Sequence, residues 1–189
     1  MIIRMSLFFT LILGFNAHAS YFPEGVFEDG KDLDSFVRGW YSYHLNSMEE
    51  PSLKDSSEVL VFRFTWLRTF HSPMAFRLTK NSGEQYDLTV KRTDGAGGYD
   101  SGKLINDERV TIPREEAKVL IAKLEDECKF WSQPTQGEAR GLDGSRWVFE
   151  GRRNERYHVV DRWSPDKGCL REVGLRFMEL SRIDIEEVY

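Results

Sequence analysis

The chain has 189 residues, with 26 Lys or Arg against 31 Asp or Glu and a net charge of −5. That acidic balance argues against a nucleic-acid binder, whose domain carries a basic excess, and the length suits one domain around one core. Only two cysteines occur, and they form no Cys-x-x-Cys pair, so a thiol–disulfide exchange site is excluded.

The N-terminal stretch reads as an address rather than as structure. Arg4, an apolar run over residues 7–15 and Ala17-His18-Ala19 have the three-part layout of a secretory signal peptide cut after Ala19. The run is too short for a bilayer, which takes about 20 residues. Ser20 rather than Cys follows the cut, so the lipoprotein route has no attachment site. A periplasmic or secreted protein without a membrane anchor is expected, and export makes nucleic acid a still poorer partner.

Residues 20–57 are expected to form an irregular lead-in and a helix. Asp32 is its predicted cap, and Leu33, Phe36, Val37, Trp40, Tyr41 and Leu45 are its buried face. Pro51 stops it. Residues 58–69 then change period. Leu60, Phe62, Phe64 and Trp66 make an aromatic strand face, and Val59, Val61, Arg63 and Thr65 make a face that starts apolar and turns polar. Strands follow at 74–80 and 85–93, separated by an Asn81-Ser82-Gly83 turn. Residues 95–102 read as a flexible loop, and a fourth strand covers about 103–111.

Pro113 opens a second helix, with Glu115 and Glu116 at its positive end. Ala117, Leu120, Ile121, Leu124 and Cys128 form its buried stripe, and Phe130 and Trp131 plug the core. A hairpin is predicted from strands 145–152 and 156–163, turning at Arg153-Asn154-Glu155. A third helix over 169–182 buries Leu170, Val173, Phe177, Met178 and Leu180. The acidic tail, 184–189, is expected to fray.

The order implies an α+β fold: a mainly antiparallel sheet of five to six strands with two or three helices on one face. Residues 58–183 form the α+β domain, one unit with the preceding helix. In an oxidising compartment a lone cysteine pair favours a disulfide. Cys128 ends one helix and Cys169 begins the next, so antiparallel packing brings them together.

Thr65-Trp66-Leu67-Arg68, then 141–147 (Gly-Leu-Asp-Gly-Ser-Arg-Trp), then 157–165 (Tyr-His-Val-Val-Asp-Arg-Trp-Ser-Pro) resemble a family of small exported bacterial proteins, a domain of unknown function, over residues 58–183. The resemblance implies a fold. It implies no activity and no functional residue.

Chemistry has to be sought residue by residue. His44, His71 and His158 follow the leader, and their spacing offers no zinc set. His158 and Asp161 are an odd number apart, so on a strand they face opposite ways. No Gly-x-Ser-x-Gly elbow occurs. Gly95-Ala96-Gly97-Gly98 does not open a helix, so it makes a turn rather than a phosphate cradle. Asp143 sits in an Asp-Gly turn without the repeated acids of a calcium loop. No cofactor and no metal is implied.

Two function classes remain. The favoured one is a non-catalytic binding, inhibitor or immunity-type module whose partner is another exported or envelope protein. Its predicted surface is one polar hairpin face of Arg146, Glu150, Arg152, His158 and Arg162, with a cross-strand Glu150–Arg162 pair; Arg and aromatic residues commonly anchor interfaces. Asp161 beside Trp163 reads instead as a buried carboxylate with an Arg partner. The alternative is an extracytoplasmic hydrolase drawing on loop-borne His71, Asp143, Glu150 and His158.

Overall fold

The computed structural model describes residues 20–27, 30–81, 84–185 and 187–189. The expected signal peptide at 1–19 lies outside the described residues, as do Ser82 and Gly83 of the predicted turn. The described chain runs α1 (Lys31–Ser47), β1 (Leu60–Arg68), β2 (Met74–Lys80), β3 (Tyr86–Thr93), β4 (Leu104–Ile112), α2 (Arg114–Ala122), β5 (Ser145–Arg153), β6 (Arg156–Trp163) and α3 (Cys169–Ser181). The α+β expectation holds: six strands form one antiparallel sheet in the order β4-β3-β2-β1-β5-β6.

β1 lies in the middle and is buried on both faces. Phe62, Phe64 and Trp66 join the larger core, under α2 and α3. There Phe64 stacks on Phe149 with ring centroids 4.7 Å apart and on Phe76 at 5.5 Å. α2 widens into a π-helical turn at Lys123–Glu127. Every residue of its predicted stripe, from Ala117 to Cys128, is buried against the sheet. Cys128 and Cys169 are bonded, with Cα atoms 5.4 Å apart. Closing a loop across 41 positions restricts the unfolded chain by up to roughly 4 kcal/mol.

The first helix, α1, is not on that face with α2 and α3. α1 packs on the opposite face of the sheet, where Tyr41, Leu45 and Met48 meet Leu67, Ala75, Val148 and Val159. The cause lies in β1: Val61, Arg63, Thr65 and Leu67, its second face, also need cover, and α1 supplies it. Asp32 does not cap α1; Gly30 occupies that position without a side-chain bond. Asp34 instead accepts the main-chain N–H groups of Gly25 and Phe27 and the Nε–H of Arg38 at 2.6 Å. Burial pushes its carboxyl up, but these donors outweigh burial and hold it below the usual range.

The C-terminal tail docks rather than frays. Ile185 and Val188 pack on the larger core. The main-chain oxygen of Tyr189 accepts from the Trp147 indole at 3.1 Å and from the Trp66 indole at 3.4 Å. Buried indole N–H groups need acceptors, and the tail provides them. No helix among the described residues is long and apolar enough to cross a membrane.

Candidate functional site

The predicted polar hairpin face does not form, because the turn is one residue shorter than expected. Arg153 pairs with Arg156, leaving Asn154-Glu155 as a two-residue turn with Asn154 at φ 54°. A one-residue change of register moves a strand's whole side-chain set to the other face. Arg146, Glu150 and Arg152 therefore lie on the α1 side, while His158 and Arg162, opposite Gly151 and Trp147, lie on the α2–α3 side.

His158 and Arg162 are spent on structure. The His158 Nε2 meets the Gln133 carbonyl at 3.0 Å, and its ring packs edge-on against Phe130. Burial pushes this imidazole down, with the Gln133 carbonyl opposing. Arg162 donates to the Thr135 and Pro134 carbonyls and to the Gln133 side chain. Together they hold residues 133–137 along the outer edge of β6, where Gln136 forms a bridge to Asp161. The Glu150–Arg162 pair is absent.

Glu150 pairs with Arg63 instead. Both are fully buried, and the Arg63 Nε and Nη2 donate to one Glu150 oxygen at 2.8 and 2.5 Å. The Tyr157 hydroxyl donates to the other at 2.9 Å. Glu50, also buried, accepts from Arg63 at 3.3 Å and from Arg77 at 2.9 Å. Burial acts against both charges of the central pair, raising Glu150. At Arg63 the facing carboxylates outweigh burial and hold the guanidinium charged. The three donors on Glu150 support the ion pair as the resting state. Arg152 donates to the Lys54 carbonyl beside it. This network fastens the 50–54 connection to the sheet.

Asp161 is the buried carboxylate with an Arg partner. It is 1% exposed and accepts from the Tyr41 hydroxyl at 2.8 Å and Arg146 at 3.3 Å. Burial raises it, and Arg146 opposes the rise. Arg146 also lies over the Trp163 ring, 4.9 Å from its centroid.

That Arg146 side chain lines the deeper end of a groove on the α1 side. One concavity of about 670 Å³ is lined by Ser35, Phe36, Trp40, Tyr43, Gly98 and Tyr99. A second, of about 370 Å³, shares Trp40, Gly98 and Tyr99 and adds Leu142, Asp143, Arg146 and Trp163. Both volumes fall within the roughly 300–1,000 Å³ of small-molecule sites. Phe36 is 67% exposed and Tyr99 63%, so the walls are aromatic and open to solvent.

Two departures from expectation build these walls. The aromatic residues of α1 form two stripes, not one. Tyr41, Leu45 and Met48 face the sheet, whereas Leu33, Phe36 and Tyr43 are exposed, and Trp40 lies between the two stripes, half-buried against the core. The spacing distinguishes the exposed stripe from the sheet-facing one, so the single buried face expected over Leu33–Leu45 is too wide. The 95–102 loop is also not loose. Gly97 and Gly98 donate to the His71 and Thr69 carbonyls at 3.0 and 3.1 Å, and Ala96 to Asp100 at 2.8 Å. A Cβ on Gly97 would lie 2.7 Å from the Arg68 main chain, so only glycine lets the loop press onto the end of β1 and present Tyr99.

His44 lies beneath this wall, fully buried, its ring edge-on to Trp40 and packed against Tyr43. Neither ring nitrogen reaches a partner at hydrogen-bonding geometry among the described residues. Burial pushes the imidazole down to about 4, with the nearby Gly97 main chain and Asp100 opposing.

Of the four acid–base candidates, His71 and Asp143 meet, lining a shallow hollow of about 360 Å³ with Phe70, Glu187 and Tyr189. The His71 Nδ1 is 2.7 Å from the Tyr189 hydroxyl. Glu150 and His158 lie elsewhere. Among the described residues no three His, Cys, Asp or Glu side chains gather as a metal set.

The motif segments 65–68, 141–147 and 157–165 converge at the groove's deeper end: Leu67 of the first, Gly141, Leu142, Asp143 and Arg146 of the second and Trp163 of the third line the same concavity. Main-chain bonds from Thr69 to Gly144 and from Ser164 to Ser145 lock them together. No family model matches the chain, and a search of curated proteins finds no match.

Proposed function

We propose that the protein is an exported, non-catalytic binding module that holds an envelope component in the groove between α1 and the 95–102 loop. The observation that carries this reading is the pair of adjoining concavities walled by Phe36, Trp40, Tyr43 and Tyr99. Exposed aromatic residues around a recess are the usual anchors of recognition. Export rests on the signal-peptide pattern, and the Cys128–Cys169 bond suits an oxidising compartment. Membership of the exported family that the three motifs resemble belongs to the same proposal, and their convergence beside Arg146 supports the groove as its working end.

The test is retention of periplasmic components on the immobilised chain, residues 20–189, beside a variant carrying Phe36→Ser and Tyr99→Ser. Both side chains are largely exposed, so the variant folds. A component retained by the native chain and lost by the variant is the expected result. Equal retention by both, or none by either, overturns the reading.

The hydrolase alternative has one supporting observation, the hollow shared by His71 and Asp143. Turnover of cell-wall material that disappears in both His71→Ala and Asp143→Asn would replace the binding reading with that one.

A further inference from the structure

Resting on the binding-module reading, we infer that the occupant of the aromatic groove is a neutral glycan chain. Three features of the lining select that chemistry.

The first is charge. Along Ser35, Phe36, Gly39, Trp40, Tyr43, Gly98 and Tyr99 no side chain is charged. A ligand with fixed charge would lose its water there without receiving a counter-charge, a cost that an uncharged ligand avoids. The second is a lining that combines aromatic rings with hydroxyl-bearing side chains. Aromatic faces carry partial negative charge and attract the polarised C–H bonds on the flat side of a pyranose. Ser35, Tyr43 and Tyr99 place hydroxyl groups among those rings, matching the hydroxyl rim of the same sugar.

The third is the polar end. Arg146 lines the second concavity, where its guanidinium brings hydrogen-bond donors, and it also donates to the buried Asp161. A sugar hydroxyl accepts from such a donor. Exposed Asp143 on the same wall adds an acceptor for further hydroxyls. Because the two concavities share Trp40, Gly98 and Tyr99, they form one trough. A chain of linked sugars can lie along it, with its neutral, flat-faced part on α1 and its hydroxyl-rich contacts at Arg146.

The experiment is calorimetric titration of residues 20–189 with chitotetraose, cellotetraose and maltotetraose, three uncharged chains that differ in linkage and substitution. Saturable binding of at least one is expected, weakened roughly tenfold or more, as for an anchor residue, in the Phe36→Ser/Tyr99→Ser variant. Asp143→Ala is expected to weaken it less. Arg156→Ala, which removes a cation from the Trp131 ring on the far side of the sheet, leaves binding unchanged. Absence of saturation by all three at about 1 mM, the scale of weak specific affinity, overturns the glycan assignment. So does equal binding by the native chain and the groove variant. If saccharides fail while the groove variant still loses a retained envelope component, the glycan assignment falls and the binding-module reading stands.

Discussion

The two faces of the central sheet were built by different physics. Toward α2 and α3 the sheet presents Phe62, Phe64, Trp66, Trp147 and Phe149, and its cover is equally apolar. Toward α1 it presents Arg63, Thr65, Glu150 and Asp161, all nearly unexposed. The first face is held by area removed from water, which is nondirectional. The second combines a smaller apolar cluster around Tyr41, Leu45 and Val148 with buried polar pairs whose partners sit far apart in sequence: Arg63 with Glu150, Tyr41 with Asp161. An apolar face tolerates reshaping, whereas a buried charge tolerates almost no loss of its partner.

Neighbouring substitutions on β1 test that contrast most strongly. Phe64→Ala is expected to cost about 3–5 kcal/mol by opening a cavity. Arg63→Ala costs a similar, roughly 3–5 kcal/mol by leaving Glu150 buried without its cation, whereas Glu50 keeps Arg77. The two losses differ in pH dependence. Burial already raises Glu150, and removing Arg63 raises it further. A folded state that binds the extra proton gains stability as pH falls through that raised value. The Arg63→Ala deficit therefore shrinks on acidification, and the Phe64→Ala deficit stays flat. Urea unfolding at a series of pH values reads both; parallel profiles would break the comparison.

On the apolar side, the helix-to-helix staple is the next largest effect. Replacing Cys128 and Cys169 by Ala is expected to lower stability by up to roughly 4 kcal/mol. A reducing agent should destabilise the native chain and leave the double variant unchanged.

On the α1 side, His44 makes stability acid-sensitive. Its folded value of about 4 lies below the unfolded 6.5. Its contribution is therefore fully present above pH 6.5 and is lost as pH falls toward 4. The loss is on the order of 3 kcal/mol. His44→Leu removes that share of the slope, so the gap between the two chains across this window is the measurement; superimposable curves would refute it. Smallest of all, Phe36→Ser/Tyr99→Ser should change stability by only about 0.5 kcal/mol, because both residues face solvent.

How far the chain could be read follows the same division. The six strands and three helices were legible within a few residues, because apolar residues recur at the period of each element. The disulfide was legible because both cysteines fall at helix ends. The hairpin face was not, since Arg153 belongs to the strand rather than the turn, and that single residue sends His158 and Arg162 to the opposite side. The groove was missed for a related reason. Phe36 and Tyr43 are apolar enough to look buried, and only the position of α1 on the sheet exposes them.

What the sequence by itself determined is the set of elements, the aromatic core under α2 and α3 and the Cys128–Cys169 bond. These depend on local spacing and on burial that has no preferred direction. Only the tertiary structure decided that α1 covers the second face, that Glu150 serves Arg63 and that Trp40, Tyr99 and Trp163 wall one groove. Charge pairs and cavities are set by distances between remote segments, and those distances exist only after the sheet has chosen its register.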